Sequence, residues 1–454
     1  MKIPLAPILL LAALAPAIAL TPRCPPRLAA RRSTAPMLSA ASPAPPVPLI
    51  RRNSYRVATV TSLIALDILF YAFPLPFLPQ HLSAAGHSAA SISMLLASTS
   101  YAALFVGSGL VLYESRRRVP RSERRFLFLI AACAVAMTAC AAAQAVLPVY
   151  NVLLLCRLVA GGVSQTVWSF GLALAASLGP VAGIKATAWC MAGNSLGEVL
   201  GPLFGSTLFG MGGVRRPYTV AAAVAAAIAG ALVAGAAAAP PEPPAAEVDA
   251  AAAEPASAGL GALADAPTVL LSTVLALGCG LQRAALDLLM PFSLRRAFGA
   301  TPGVIGRASG VAALCFVVGS TVAGRALSAR PEGALRWIAL ASVASSVATA
   351  SMLLPGRQML VCALFAAFYA ASAVLGVAAT TAIEERGAEI GNAQSAMAVS
   401  VFFWTIGFAS GGLLASFALA GASSAARAQA VLAALGAANV AVALAVVARL
   451  RGKA

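Results

Sequence analysis

The chain runs to 454 residues, 60% of them hydrophobic and 10% charged, which leaves too little polar surface for a water-soluble domain of that length. A formal net charge of +17 would suit a nucleic-acid partner, but the arginines gather at the ends of apolar segments, as the positive-inside rule distributes them, so no nucleic acid is expected. Eight cysteines, mostly inside apolar runs and without CxxC spacing, suggest neither a disulfide framework nor a metal site.

Lys2 precedes an apolar run from Ile8 to Leu20, and Ala17-Ile18-Ala19 gives it a small-x-small cleavage site, the layout of a signal peptide. The stretch that follows is rich in Arg, Ser, Pro and Ala, and the first acid of the whole chain is Asp67. That composition is transit-like, so residues 1–54 are read as a signal/transit-like presequence. It resembles the bipartite presequence of algae whose plastids are reached through the secretory pathway. A signal sequence followed by a disordered linker is the alternative.

From Arg56 apolar segments follow at regular intervals, with predicted helix centres near Ala65, Ala103, Val135, Gly161, Leu196 and Ala227. A second set is centred near Ala276, Phe316, Val343, Ala367, Phe403 and Leu435. At roughly 20 residues per span this makes an all-α polytopic membrane protein of about twelve transmembrane helices. Two six-helix bundles are expected, at residues 55–239 and 266–450, joined by a Pro/Ala/acidic linker at 240–265 that contains no Lys or Arg. A cytosolic or stromal N-terminus puts the run Arg116 to Arg125, Lys185, Arg325, Arg330, Arg336, Arg386 and both basic chain ends on one side. The C-terminus then returns to that same side. The run Arg116 to Arg125 could also attract anionic lipid headgroups, although topology alone accounts for it.

In the fifth span the sequence reads GNSLGEVLGPLFGS, with Gly193, Gly197, Gly201 and Gly205 on one face, a surface on which a second backbone can lie closely. Gly201 and Gly205 are expected to tolerate nothing larger than alanine. Pro202 is tolerable there, because neighbouring groups can satisfy the carbonyl it frees. Asp67, Glu198 and Asp287 are the acids well inside spans, with Glu384 and Glu385 at the end of the tenth. An ionisable side chain in hydrocarbon is costly and so is a functional candidate, whether it carries a proton or pairs with a buried arginine to hold helices in register.

Asp67 followed by Pro76 and Pro79, together with GPLFGS, resembles the major facilitator superfamily, and within it the drug:proton antiporters and vesicular amine transporters. Arg157 with Gly161 and Ser164, and Asp287 ahead of Pro291, extend the resemblance, which covers about residues 56 to 450. It implies the major facilitator fold. The family's loop signature between spans two and three is matched in kind by Gly109, Glu114 and Arg116 to Arg118, which assigns Gly109 and Arg117 to a conformational contact. In the fourth span Ala160 stands where the family has glutamine. Spans ten and eleven carry no intramembrane aspartate, which argues against a monoamine substrate.

The candidate substrate and proton-coupling residues are Asp67, Tyr71, Arg157, Gln165, Glu198, Gln282, Arg283 and Asp287. Asp67, Tyr71 and Pro74 share one helix face, as do Arg157, Gly161, Ser164, Gln165 and Trp168. The resemblance gives Arg157 the role of tuning a nearby carboxylate. Arg283 and Asp287, four apart, can pair within their helix or take part in transport. Phe170, Phe316, Tyr369 and Trp404 could line a cavity for a ring-bearing or cationic solute, or pack the helices, while His81 and His87 are expected to be solvated in the first outer loop.

No nucleotide loop, metal cluster or hydrolytic triad appears, so neither an enzyme nor a cofactor is expected. The reading is a secondary active transporter of a small organic solute working by alternating access in a lipid bilayer, exchanged for protons, and expected to be a monomer. A metabolite uniporter or symporter, or a non-transporting membrane scaffold on the same fold, are the alternatives.

Overall fold

The computed structural model describes residues 49–116, 123–177, 180–237, 265–352, 357–390, 393–420 and 424–451. The predicted presequence up to residue 48 and the linker, apart from Asp265, lie outside these, as does Arg117. The first half contains α1 (Leu49–Ala72), α2 (Leu78–Ala84), α3 (Ala89–Arg116), α4 (Glu123–Val146), α5 (Tyr150–Ser177), α6 (Pro180–Gly212) and α7 (Arg215–Ala237). The second contains α8 (Ala266–Leu275), a π-helical segment (Ala276–Leu281), α9 (Gln282–Phe298), α10 (Pro302–Ala329), α11 (Ala334–Ser351), α12 (Gln358–Glu389), α13 (Ala393–Leu419) and α14 (Ser424–Arg451). α8, the π segment and α9 form one rod, so each predicted centre falls in its own long helix. α1 reaches back to Leu49, into the stretch read as presequence.

Ten of these helices are long and apolar enough to cross a bilayer. α6 is not among them, because glycines, Asn194 and Glu198 dilute its hydropathy, and α1 has an apolar stretch over Val57–Ala72. α6 packs on α1, so a helix poorly suited to lipid is matched with protein.

The glycine face of α6 explains how they meet. A Cβ on Gly193 would come within 2.5 Å of the Thr61 carbonyl, and one on Gly197 within 2.5 Å of the Ala65 carbonyl. Gly201 faces Ala72 and Gly205 faces the Phe73 carbonyl. Only a residue without a side chain permits this approach at Gly205, so the seam is stricter than the expectation that alanine would be tolerated. The second half repeats the device. Gly407 and Gly411 on α13 lie against Ala276, Leu281 and Ala284, which packs α13 on the α8–α9 rod as α6 packs on α1. Gly109, by contrast, has nothing among the described residues within 4 Å of the position its Cβ would take.

Two helix pairs make most of the contact between the halves, α6 with α10 and α3 with α13, and α9 adds a smaller contact with α3. Gly306 lies against Pro202 and Ser206, Gly310 against Leu203, and Gly412 against Ala97. The Ser416 hydroxyl donates to Ser93 Oγ at 3.1 Å. All of these contacts lie in the halves of the helices nearer α2.

Candidate functional site

On α1, Tyr71 reaches the interface between the halves, while Asp67, one turn earlier, faces α5 within the first half. Asp67 is 4% exposed, and its Oδ2 accepts a hydrogen bond from the Ser164 hydroxyl of α5 at 2.7 Å. Trp168, one turn further along α5, also interacts with this carboxylate. The Tyr71 hydroxyl lies 3.5 Å from Asp287 Oδ2 on α9, reaching across from one half to the other. Tyr369 of α12 donates to Asp287 Oδ1, so the carboxylate has a phenol from each half.

Arg283 does not pair with Asp287 within its own helix. Its Nη2 reaches Glu198 Oε1 on α6 at 2.6 Å, a buried ion pair across the interface. Asn194 donates to the same Glu198 oxygen at 2.9 Å. The guanidinium also lies over the rings of Phe316 and Tyr369, 4.6 and 4.9 Å from their centroids, a cation–π arrangement in a desolvated setting. Spacing along one helix could not reveal this, because the partner comes from another element.

Arg157 is 4% exposed and donates from Nη2 to the Leu96 carbonyl at 2.9 Å. None of the ion pairs formed by described residues includes it. The expected contact with a carboxylate is therefore absent, although Asp67 lines the same cavity. Gly161, one turn along α5, is pressed against Thr99 and Ala102 of α3, which fixes the level at which Arg157 enters.

Two cavities of about 20 Å³ flank Tyr71, each with room for one water. The first is lined by Asp67, Tyr71, Pro74, Gln144, Cys156 and Arg157 among others. The second is lined by Tyr71, Glu198, Pro202, Arg283, Asp287 and Tyr369 among others.

The remaining candidates lie elsewhere. Gln165 is buried on α5 but lines neither cavity. Gln282 is wholly buried and its Oε1 is 3.5 Å from Asn439 Nδ2, so it turns toward α14 rather than the interface. Trp404 packs on Phe408, which in turn meets Tyr71, while the Phe170 side chain lies outside the described residues. His81 contacts the Pro148 carbonyl and His87 stacks on Tyr150, so both are held against the start of α5 instead of being simply solvated.

Sequence reasoning missed several participants. Asn194 is one, a partner of Glu198 from one turn earlier on α6, while Phe316 and Tyr369, expected to line a cavity or pack the helices, lie under Arg283. Asp265 was placed in the linker, yet it caps α8 by accepting from the Thr268 backbone N–H at 3.0 Å. It also pairs with Arg386 of α12 at 2.7 Å. An aspartate followed by Pro267 and Thr268 is a helix-start signal that could have identified it. Hydrogen bonds from Arg386, and after them those from Thr268, hold the Asp265 carboxyl below the usual carboxylate range.

No protein-family model matches the chain, and no curated protein matches it in sequence. Solved structures do. A bacterial homologue of the human lysosomal transporter Spinster, in an inward-facing conformation, superposes with a TM-score of 0.61 at 16% identity, covering 87% of this chain and 95% of that one. The nucleoside transporter NupG gives a TM-score of 0.63 at 13% identity, covering 87% and 98%. A likeness at this identity concerns architecture, and on that ground the chain has the all-α, polytopic fold of major facilitator-type transporters.

Proposed function

We propose that the protein is a secondary active transporter that moves a small organic solute by alternating access, in exchange for protons, and that it is not an enzyme. The observation carrying this reading is the meeting of ionisable side chains from both halves around Tyr71, in a fold shared with transporters. The Glu198–Arg283 pair and the Tyr71–Asp287 contact both cross the interface, so the halves cannot part at this level without breaking them. A proton or a solute group that replaces a lost partner offsets that cost, which couples binding to movement.

Asp67 is the coupling residue in this reading. Its one hydroxyl partner, Ser164, can donate to the carboxylate or accept from the carboxylic acid, so either protonation state is satisfied. The resemblance to drug:proton antiporters supports the same assignment. The test is a pH-jump flux assay in proteoliposomes with wild type and Asp67→Asn. The variant keeps size and hydrogen-bonding groups, so the expected outcome is normal expression and solute exchange with loss of proton-driven accumulation. Unchanged, pH-dependent accumulation would move coupling to Glu198 or Asp287. Flux indifferent to pH in the wild type would support a uniporter, and no flux at all a scaffold.

For targeting, we propose that residues 1–54 carry the chain through the secretory route to a plastid membrane, with both termini of the mature protein on the cytosolic or stromal side. The order of the segments supports this, since the apolar run precedes the acid-free basic tract. A fluorescent fusion of residues 1–55 should enter the secretory pathway. Plastid import unaffected by deletion of residues 1–19 would remove the bipartite reading.

A further inference from the structure

We infer that the solute is a zwitterion, carrying an anionic oxygen group and an ammonium on one small skeleton, which straddles Tyr71. This rests on the transport reading and adds the chemistry of what is transported.

The two cavities differ in what they lack. On the α5 side, Arg157 is a buried guanidinium outside every described ion pair, and its Nε has no hydrogen-bond partner. A charge taken out of water without a counter-charge is costly, and the cost falls when an anionic group arrives. Gln144 and Thr99 line the same cavity and bring further donors. Asp67, also on that cavity, is already engaged by Ser164 and sits outside ion-pair reach of Arg157.

On the α9 side the charge balance is reversed, although Arg283 Nε, like Arg157 Nε, has no hydrogen-bond partner. Glu198 uses Oε1 for both Arg283 and Asn194, while Oε2 is buried with no partner at all. Asp287 adds a second carboxylate to the same cavity against a single guanidinium. Two carboxylates and one arginine leave an excess negative charge that an ammonium would balance, and Oε2 is the acceptor for one of its N–H groups. Tyr71 lines both cavities, so an anion seat and a cation seat lie on either side of one phenol. At about 20 Å³ each they have room for one water apiece in this conformation; the second, lined by both halves, opens as the halves part, and the first, lined wholly by the first half, opens into it as Tyr71 swings aside.

A lone cation would leave Arg157 uncompensated, and a lone anion would leave the carboxylate excess. A single molecule bearing both charges satisfies the two sites together. The anionic group can be a carboxylate or a phosphate, since Arg157 serves either.

The test uses purified full-length protein and sets of probes that share a skeleton and differ in charged groups. These are alanine, ethylamine and propionate; phenylalanine, phenethylamine and 3-phenylpropanoate; and phosphoethanolamine with ethanolamine. Ligand-induced shifts of the thermal midpoint report binding. In at least one set the zwitterion should bind about tenfold or more tightly than its singly charged counterparts, since each missing group forfeits a charge-assisted bond. The phosphate arm separates a carboxylate seat from a phosphate seat. Arg157→Gln should erase the preference for zwitterion over amine, and Glu198→Gln the preference for zwitterion over acid. Equal binding of an amine or an acid, or no zwitterion binding in any set, overturns the inference, and the wild-type comparison decides it even if a variant fails to fold. Proton-driven flux of a solute lacking either charge would also overturn it while leaving transport intact. Zwitterion binding without flux would do the reverse.

Discussion

Asp287 accepts a hydrogen bond from Tyr369, whereas the Tyr71 hydroxyl stands 3.5 Å away, and the difference predicts unequal consequences. A hydrogen bond to a buried carboxylate contributes about 1.5–3 kcal/mol, whereas 3.5 Å is at the limit of a bond. Tyr369→Phe should therefore lower the thermal midpoint clearly, and Tyr71→Phe hardly at all, in the same detergent. Asp265 gives a prediction in pH. Its carboxyl is held below the range near 3.9 that it has when unfolded, so its contribution is full above that value and is lost as pH falls below it. Asp265→Ala, which also removes a helix cap worth about 1 kcal/mol, should lower the midpoint at pH 7, and the gap to wild type should narrow below about pH 4. Which residues would be charged and buried was legible in the sequence: Asp67, Arg157, Glu198, Arg283 and Asp287 are all within helices and all buried. The partners were not. Arg283 could be seen four residues from Asp287, but Glu198 lies on a different helix, and rotamer and packing decide between them.

Among the elements, α6 was the most readable, because glycines at every fourth position state both the face and the closeness of the contact. The structure adds which carbonyls they press on, and this sharpens the expected effect of substitution. Gly205→Ala and Gly197→Ala should each cost about 1–3 kcal/mol through overpacking against Phe73 and Ala65. Gly230→Ala, exposed on α7 with nothing within 4 Å, should be neutral or slightly stabilising, since alanine is the better helix former. Unfolding midpoints of the three variants check this, and equal losses would mean that the seam does not carry the packing. The matching pair Gly407 and Gly411 went unread because α13 is so apolar that its glycines break no pattern. The helix centres themselves were legible for a simple reason: each span must supply its own backbone hydrogen bonds and an apolar surface, and both requirements are local.

At the level of the whole molecule, contacts between the halves gather at the end carrying α2, and the Glu198–Arg283 pair closes the interface beneath them. With the proposed orientation that end is external. Glu198→Gln removes one charge of a pair whose loss is expensive, so it should shift the population toward states open at that end. Spin labels at Ser88 and Thr301, exposed positions beside α3 and α10, should report longer distances in the variant. An unchanged distance distribution would show that the glycine contacts alone hold the closure. Sequence could place the halves but not their relative state, because the same residues serve every conformation.

The π-helical segment at Ala276–Leu281 has a consequence for insertions and deletions. Such a segment holds one residue more than an α-helix of the same hydrogen bonding, and it sits immediately before Gln282 and Arg283. Deleting a single residue there would let an ordinary helix run through with α9 keeping its orientation, whereas winding all the residues present as an ordinary α-helix would turn each residue of α9 by about 100° against α8. Arg283 would leave Glu198 and Asp287 would leave Tyr369, although no charged group had been altered. The aim of the charges on α9 is thus set by how the preceding segment is wound, and tightening it with no residue removed would misdirect them as thoroughly as a change of their chemistry.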